Sequence, residues 1–158
     1  MDWLIFLPFM AASLAAAATG ALFPPGTWYD NLSKPPWTPP PWAFPVMWTA
    51  LYIASSIAAT RVAGQPGNGA ALAFWSMQIA FNALWSPVFF GLRHFRASLG
   101  AMVGLWIAVA ATMVAFFQLD TVAGWLFVPY LAWVTTAAAL NISVVRRNPD
   151  VEPISLSA

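Results

Sequence analysis

The side chains best suited to bind or react with a ligand in this chain are uncharged, and they recur at helical spacing in three apolar segments. Each segment thus carries one face of polar and aromatic side chains. Amides in hydrocarbon must find hydrogen-bond partners, so these three faces are expected to point into a helix bundle. Small-molecule sites combine apolar walls with a few polar groups, which favours a binding cavity. Hydrogen bonding between helices, with interfacial tryptophan anchors, is the alternative. The three faces are Trp48, Tyr52 and Ser55; Gln78, Asn82 and Trp85; and Trp133, Ala137 and Asn141.

Groups that would support acid–base or nucleophilic catalysis are missing from these faces. No charged residue falls in the middle of an apolar segment, which excludes an intramembrane proton relay or voltage sensor. The absence of cysteine excludes disulfides and thiolate chemistry. The single histidine, His94, stands between two arginines and is interpreted as a solvated turn residue, with an axial haem ligand as the alternative. We therefore predict no catalytic residue, no metal site and no resident cofactor.

The composition indicates an integral membrane protein. Hydrophobic residues make up 61% of the 158 positions and charged residues 7%, against about a quarter charged in soluble domains. The net charge of +1, without clustered basic residues, argues against a nucleic-acid partner. A membrane crossing needs about 20 apolar residues. Five segments are long enough: residues 3–23, 44–63, 70–92, 99–119 and 125–145.

Short connections between these segments predict that sequential helices pack as antiparallel neighbours. The expected fold is therefore an all-α integral membrane protein, a five-transmembrane-helix bundle that forms one domain over residues 1–147. Residues 148–158 are predicted to be a polar, frayed tail. The N-terminus has no basic start before its apolar run, so we expect a retained helix rather than a signal peptide.

The longest connection, between helices 1 and 2, is rich in proline and tryptophan. The stretch from Pro24 to Trp48 holds eight of the 14 prolines and four of the ten tryptophans. Its proline runs exclude a regular helix through the stretch and favour a stiff, partly polyproline-II path. Disordered proline-rich segments lack aromatic residues, so the tryptophans predict a folded lid over the cavity.

Basic residues are distributed unequally between the two sides of the predicted bundle. Arg61 lies on one side and the other five on the opposite side, which predicts a cytoplasmic location for the long loop and the C-terminus. The N-terminus is then expected outside, on the periplasmic side. The five are Lys34, Arg93, Arg96, Arg146 and Arg147.

Small residues at four-residue spacing predict close approach of helix backbones. They could serve packing within the bundle or a homodimer seam, and both interpretations remain open here. The residues are Ala12, Ala16 and Gly20 in the first span, and Gly100 and Gly104 in the fourth.

Four motifs resemble the tryptophan-rich sensory protein and translocator protein family, also called the peripheral-type benzodiazepine receptor family. They are WYDNLSKPPWTPP from Trp28, PVMWTALY from Pro45, QIAFNALWSPVFF from Gln78 and PYLAWVTTAAALN from Pro129. The resemblance implies five transmembrane helices, usually as a dimer, with the first loop folded over a cytoplasmic ligand site. It also implies binding of porphyrins such as protoporphyrin IX, of cholesterol in eukaryotic members, and of isoquinoline-carboxamide and benzodiazepine drugs.

In bacterial members the implied role is a receptor or sensor linked to tetrapyrrole regulation under oxygen, light or stress. Two alternatives are a photo-oxidative porphyrin-degrading enzyme, which would use Trp48 and Trp133, and a tetrapyrrole or lipid transporter. Ile142 stands where the family's sterol segment has a tyrosine, so sterol binding is less expected than porphyrin binding. The ligand propionates are expected near Lys34 or near Arg93 and Arg96.

The predicted ligand-binding set combines the residues that the motifs carry over with two from the loop and the polar faces. It comprises Tyr29, Trp37, Trp48, Asn82, Trp133, Ala137 and Asn141.

Overall fold

The computed structural model describes residues 2–154, and helices account for most of them. Met1 and residues 155–158, the end of the predicted tail, lie outside the described residues. Within residues 2–154 there is no β-strand, so the all-α prediction is confirmed. The elements are α1 (Trp3–Leu22), α2 (Gly26–Asp30), α3 (Ala43–Ala63), α4 (Gly69–Ser86), a π-helical turn (Pro87–Gly91), α5 (Phe95–Leu119) and α6 (Thr121–Arg147).

Four of the helices, α1, α3, α5 and α6, are long and apolar enough to cross a membrane. The multi-pass membrane prediction is therefore confirmed in outline. The helix α4 is not among the four, because its 18 residues include buried amides at Gln78 and Asn82. Residues 70–92, the third of the five predicted spans, are therefore not shown to cross the membrane, and the count of five spans stays a prediction.

Two helices begin four residues before the predicted spans at residues 99 and 125, and in both cases a side chain caps the earlier start. The helix α5 begins at Phe95, where His94 Nδ1 accepts a hydrogen bond from the Ala97 amide at 3.3 Å. The helix α6 begins at Thr121, and Asp120 Oδ1 accepts from the Ala123 amide at 2.8 Å. These bonds satisfy helix N–H groups that would otherwise lack partners. The loops before α5 and α6 are therefore shorter than predicted and end at the capping residues.

An ion pair joins α3 to the α5–α6 connection at the end of the bundle remote from the proline-rich stretch. Arg61 Nη2 lies 2.8 Å from Asp120 Oδ2, and Arg61 Nε donates to Asp120 Oδ1 at 3.1 Å. The hydrogen bond from Arg61 holds the pKa of the Asp120 carboxyl below its usual range. The aspartate therefore stays ionised at neutral pH and serves both as helix cap and as ion-pair partner.

The long helices form a ring rather than a simple series of sequence neighbours. Around the ring the order is α1, α3, α6, α5 and α4, which returns to α1. The expectation that every sequential pair packs closely is wrong for α3 and α4. The Trp75 indole lies between these two helices and donates to Ser55 Oγ at 2.8 Å, so a large side chain separates their backbones.

Of the five small residues in the two stripes, Ala16 and Gly104 lie in close contacts within the bundle, and the homodimer seam stays a prediction. A Cβ at Gly104 would lie 2.5 Å from the Phe81 ring, which shows that α5 approaches α4 closely there. On α1, Ala16 is buried and a Cβ at Gly20 would meet Ser86 Oγ at 3.7 Å. Gly100 has nothing within 4 Å of its Cβ position, so it faces away from the other described residues.

Candidate ligand cavity

A cavity of about 790 Å³ lies at the end of the ring where residues 23–42 cross the bundle. Small-molecule sites are typically about 300–1,000 Å³, so the volume suits a ligand rather than a few waters. Its walls come from the C-terminal half of α1, the N-terminal half of α3, the end of α4 with the π-helical turn, two residues of α5, and α6. Alanine and glycine residues of α1 line one side, and aromatic side chains contribute to the walls from α3, α6 and the π-helical turn.

Two tryptophans on neighbouring helices form the aromatic part of the wall. The Trp48 ring on α3 stacks on Tyr52, with centroids 5.5 Å apart and planes inclined by 26°. The Trp133 ring on α6 receives Phe44 edge-on at 5.6 Å. The buried indole N–H of Trp133 has no hydrogen-bond acceptor within residues 2–154. An unpaired buried donor costs about 1–3 kcal/mol, so an acceptor on a ligand would be favoured here.

A hydrogen-bonded chain of four side chains begins at the cavity wall, where Tyr52 and Asn82 line it. Tyr52 Oη donates to Asn82 Oδ1 at 2.6 Å, and Asn82 Nδ2 donates to Tyr130 Oη at 3.0 Å. Tyr130 Oη then donates to Gln78 Oε1 at 2.8 Å. Both ends of the Asn82 amide are therefore engaged by protein groups, and the chain ties α3, α4 and α6 together. We interpret Asn82 first as a residue that holds the cavity in shape.

The segment over the cavity, residues 23–42, is folded and packed. It contains the short helix α2, which the proline content did not predict and which lies between Pro24-Pro25 and Pro35-Pro36. Trp28 and Tyr29 of α2 pack on Phe89 of the π-helical turn, with ring centroids 6.2 and 6.1 Å away. The Arg93 guanidinium lies 4.8 Å from the centre of the Trp28 ring. Aromatic and cation–π contacts of this kind stabilise the segment against the bundle.

The residue after α6 fastens the same segment to the end of the bundle. Asn148 Oδ1 accepts from the Ser33 amide at 2.9 Å, and Asn148 Nδ2 donates to the Ser33 carbonyl at 2.9 Å. The chain beyond it continues to pack, because the Ile154 amide donates to the Leu92 carbonyl at 2.9 Å. Asn148 and Ile154 therefore contact the end of the bundle, while fraying of the tail stays a prediction. The Asn148 side-chain amide satisfies both the backbone N–H and the backbone carbonyl of Ser33, which would otherwise need water as a hydrogen-bond partner.

Replacing Asn148 by alanine should release the segment over the cavity. We expect chymotrypsin to cleave residues 28–32 about tenfold faster in detergent micelles, since losing these hydrogen bonds costs about 1–2 kcal/mol of local closure. The control is Asp150→Ala, which changes an exposed residue of the same tail. Equal cleavage rates in Asn148→Ala and the parent would show that the pairing with Ser33 does not hold the segment.

Six of the seven predicted ligand-binding residues lie around this one cavity, and Trp37 does not. Trp37 is 50% exposed and is absent from the cavity wall. Sequence reasoning missed Phe89 and Phe90 of the π-helical turn, for which Pro87 near the end of an apolar run was the available signal. No cluster of three potential metal-ligating residues occurs within residues 2–154. The six on the wall are Tyr29, Trp48, Asn82, Trp133, Ala137 and Asn141.

Comparison with known proteins gives a consistent set of relatives. The model of the TspO/MBR family matches residues 4–147. The chain is 57% identical over 148 residues to the tryptophan-rich sensory protein of Cereibacter sphaeroides, covering 94% of each chain. It is 49% identical to protein CrtK of Rhodobacter capsulatus, covering 99% of this chain and 100% of the relative. It is 33% identical to the human translocator protein, covering 92% and 91% of the two chains.

Proposed function

This chain belongs to the TspO/MBR family, and we propose that it is a membrane receptor that binds porphyrins such as protoporphyrin IX in the cavity beneath residues 23–42. Family membership supports a receptor or sensor role in a membrane. The observation that carries the porphyrin proposal is the cavity of about 790 Å³ with Trp48 and Trp133 on its wall. Flat indole rings offer stacking area to a flat macrocycle.

In this proposal the macrocycle lies among the aromatic rings and Tyr29 supplies a hydrogen bond from above. Burial, together with the neighbouring Asp30 carboxylate, raises the pKa of the Tyr29 phenol. The hydroxyl therefore stays protonated and can donate to a ligand oxygen. Affinity would come mainly from apolar area, at about 25 cal/mol per Å² before the cost of ordering.

We further propose five membrane spans, with α4 and the π-helical turn as the third. The buried amides of α4 face the polar chain inside the ring, so they need not contact lipid. The segment over the cavity, the turn at Arg93 and residues 148–154 meet at one end, so we place them on one side of the membrane, and the bias of basic residues favours the cytoplasmic side. A homodimer through the transmembrane helices could use the face at Gly100, where the backbone is open to a partner.

Other ligands implied by the resemblance are less well supported by this chain. Isoquinoline carboxamides and benzodiazepines are flat and apolar, so the same tryptophan walls could hold them. Ile142 is 41% exposed on α6 and offers no hydroxyl to a sterol, where the family segment has a tyrosine.

We propose sensing of tetrapyrroles under oxygen, light or stress as the physiological role.

Titration of the detergent-solubilised protein with protoporphyrin IX tests the receptor proposal through quenching of tryptophan fluorescence. We expect saturable quenching with a dissociation constant below about 100 μM, equivalent to about 5.5 kcal/mol. Trp48→Ala should weaken binding about tenfold because it removes stacking area. Asn82→Ala should weaken it through loss of cavity shape. Quenching that rises linearly without saturation would contradict the receptor proposal.

Light-driven porphyrin degradation is a second candidate, because Trp48 and Trp133 both face the space that the porphyrin would occupy. Tryptophan beside an excited porphyrin can be oxidised without an acid or base, and molecular oxygen would be the terminal oxidant. The test is the bleaching of bound protoporphyrin IX under illumination in a Trp48→Phe, Trp133→Phe double variant. The control is Trp125→Phe, which changes a tryptophan 63% exposed on the outside of α6. Bleaching as fast in the double variant as in the control would exclude a role for the two tryptophans.

A further inference from the structure

We infer that Lys34 recognises an acidic group of the ligand, so that the cavity selects flat apolar molecules that carry a carboxylate. This inference rests on the proposed function and names the chemical class of its ligand more closely. The sequence alone left two places for such a group, at Lys34 or at the basic turn of Arg93 and Arg96. The structure separates these two places.

Lys34 is the cation that faces the cavity. Among the residues that line it, Lys34 and Asp30 are the charged ones, and both lie where the chain crosses the cavity mouth. Arg93 is directed at the Trp28 ring, 4.8 Å away, and neither it nor the exposed Arg96 belongs to the wall. Lys34 is therefore the basic group that the cavity wall offers to a ligand acid.

The Lys34 ammonium group is held in place with donor capacity to spare. Its Nζ donates to the Asp30 carbonyl at 2.9 Å and approaches the Leu32 carbonyl at 3.4 Å. It also lies 4.7 Å from the centre of the Tyr29 ring. An ammonium group has three N–H donors, so one remains for a ligand. Within the described residues Lys34 forms no ion pair, so its charge is not neutralised by direct contact.

The backbone that carries Lys34 is stiff. Pro35 is buried directly after it, and its carbonyl accepts hydrogen bonds from Thr38 N at 3.1 Å and Thr38 Oγ1 at 2.6 Å. A preorganised donor loses little freedom when the ligand arrives. The apolar part of the ligand would contact the indole-lined wall, and its acidic group would contact Lys34 at the rim of the cavity.

Asp30 makes direct contact between the ligand acid and Lys34 more important. Its carboxylate at the same rim repels a ligand acid that is not paired with the Lys34 ammonium. A charge-assisted hydrogen bond to Lys34 offsets this repulsion, because the ammonium group is then in direct contact with the ligand acid. Neutral ligands of the same shape lack that contact and depend on stacking alone.

A matched pair of ligands tests the inference: protoporphyrin IX, which has two carboxylates, and its dimethyl ester, which has none. Both are titrated in a non-ionic detergent against the parent, Lys34→Met, Lys34→Arg and Arg96→Met. The parent should bind the diacid at least about tenfold more tightly than the ester. Lys34→Met should remove that preference while its affinity for the ester stays within about twofold of the parent. Lys34→Arg and Arg96→Met should keep the preference.

Each contrary result has a distinct meaning. Equal affinity of the parent for diacid and ester would overturn the acid subsite while leaving the receptor proposal intact. A Lys34→Met variant that loses both ligands alike would show that Lys34 only stabilises the loop. Loss of the preference in Arg96→Met, as large as in Lys34→Met, would overturn the inference in favour of general surface charge. Failure of both ligands to bind the parent would contradict the proposed function itself.

Discussion

Replacing Ala137 by phenylalanine is expected to weaken protoporphyrin IX binding by at least about 100-fold, or about 2.7 kcal/mol, while the bundle stays folded. Ala137 lies one helical turn after Trp133 on α6 and forms part of the cavity wall. A benzyl group there would occupy the space in front of the Trp133 ring, where the macrocycle is proposed to stack. The added ring would fill an existing space, so little strain on the protein is expected.

The control for this change is Ala139→Phe, because Ala139 lies on the exposed face of the same helix. Binding is measured from the absorption change of the porphyrin, and folding from the thermal unfolding temperature in detergent. We expect parent-like affinity in Ala139→Phe and parent-like unfolding in both variants. Ala137→Phe with parent-like affinity would place the bound porphyrin outside this cavity.

Replacing Gly104 by leucine is expected to lower the free energy of unfolding by about 2 kcal/mol or more. A Cβ at this position would lie 2.5 Å from Phe81 Cε1 and 2.6 Å from Cζ, so the aromatic ring or the helix must move. The better helix propensity of leucine, about 0.5–1 kcal/mol over glycine, offsets only part of that cost. Separation of α5 from α4 would also disturb the cavity wall next to it.

Gly100→Leu provides the matched control, one helical turn earlier on α5. Nothing lies within 4 Å of its Cβ position in one chain, so the same substitution should be neutral or slightly stabilising when both variants are measured as monomers. The unfolding midpoints of the two variants are compared by circular dichroism in the same detergent. Equal midpoints would mean that the close contact between Gly104 and Phe81 does not contribute to stability.

The run lengths of apolar residues predicted most of the helices, because about 20 residues are needed to cross a bilayer whatever the tertiary structure. Local hydrogen bonds decided the details that run lengths could not predict. His94 and Asp120 cap α5 and α6 at earlier starts than the apolar runs indicated. The motifs gave the family correctly, as the match over residues 4–147 confirms.

Helical spacing predicted the residues that meet at the cavity, but it could not predict what each side chain contacts there. Asn82 was expected to offer its amide to a ligand, yet Tyr52 and Tyr130 from two other helices engage it. Trp37 lies in the same proline-rich stretch as the other loop tryptophans, so the sequence did not distinguish it from them. The path of the chain in the folded protein leaves Trp37 exposed. The pairing of Asn148 with Ser33 joins residues 115 positions apart, beyond the reach of any local pattern.

The crystal structure of the protein saturated with protoporphyrin IX tests the central claim most directly. We predict one macrocycle per chain between Trp48 and Trp133, with a propionate oxygen within hydrogen-bonding distance of Lys34 Nζ. Macrocycle density confined to the lipid-facing surface of α5 and α6, with the cavity beneath residues 23–42 empty, would contradict the claim.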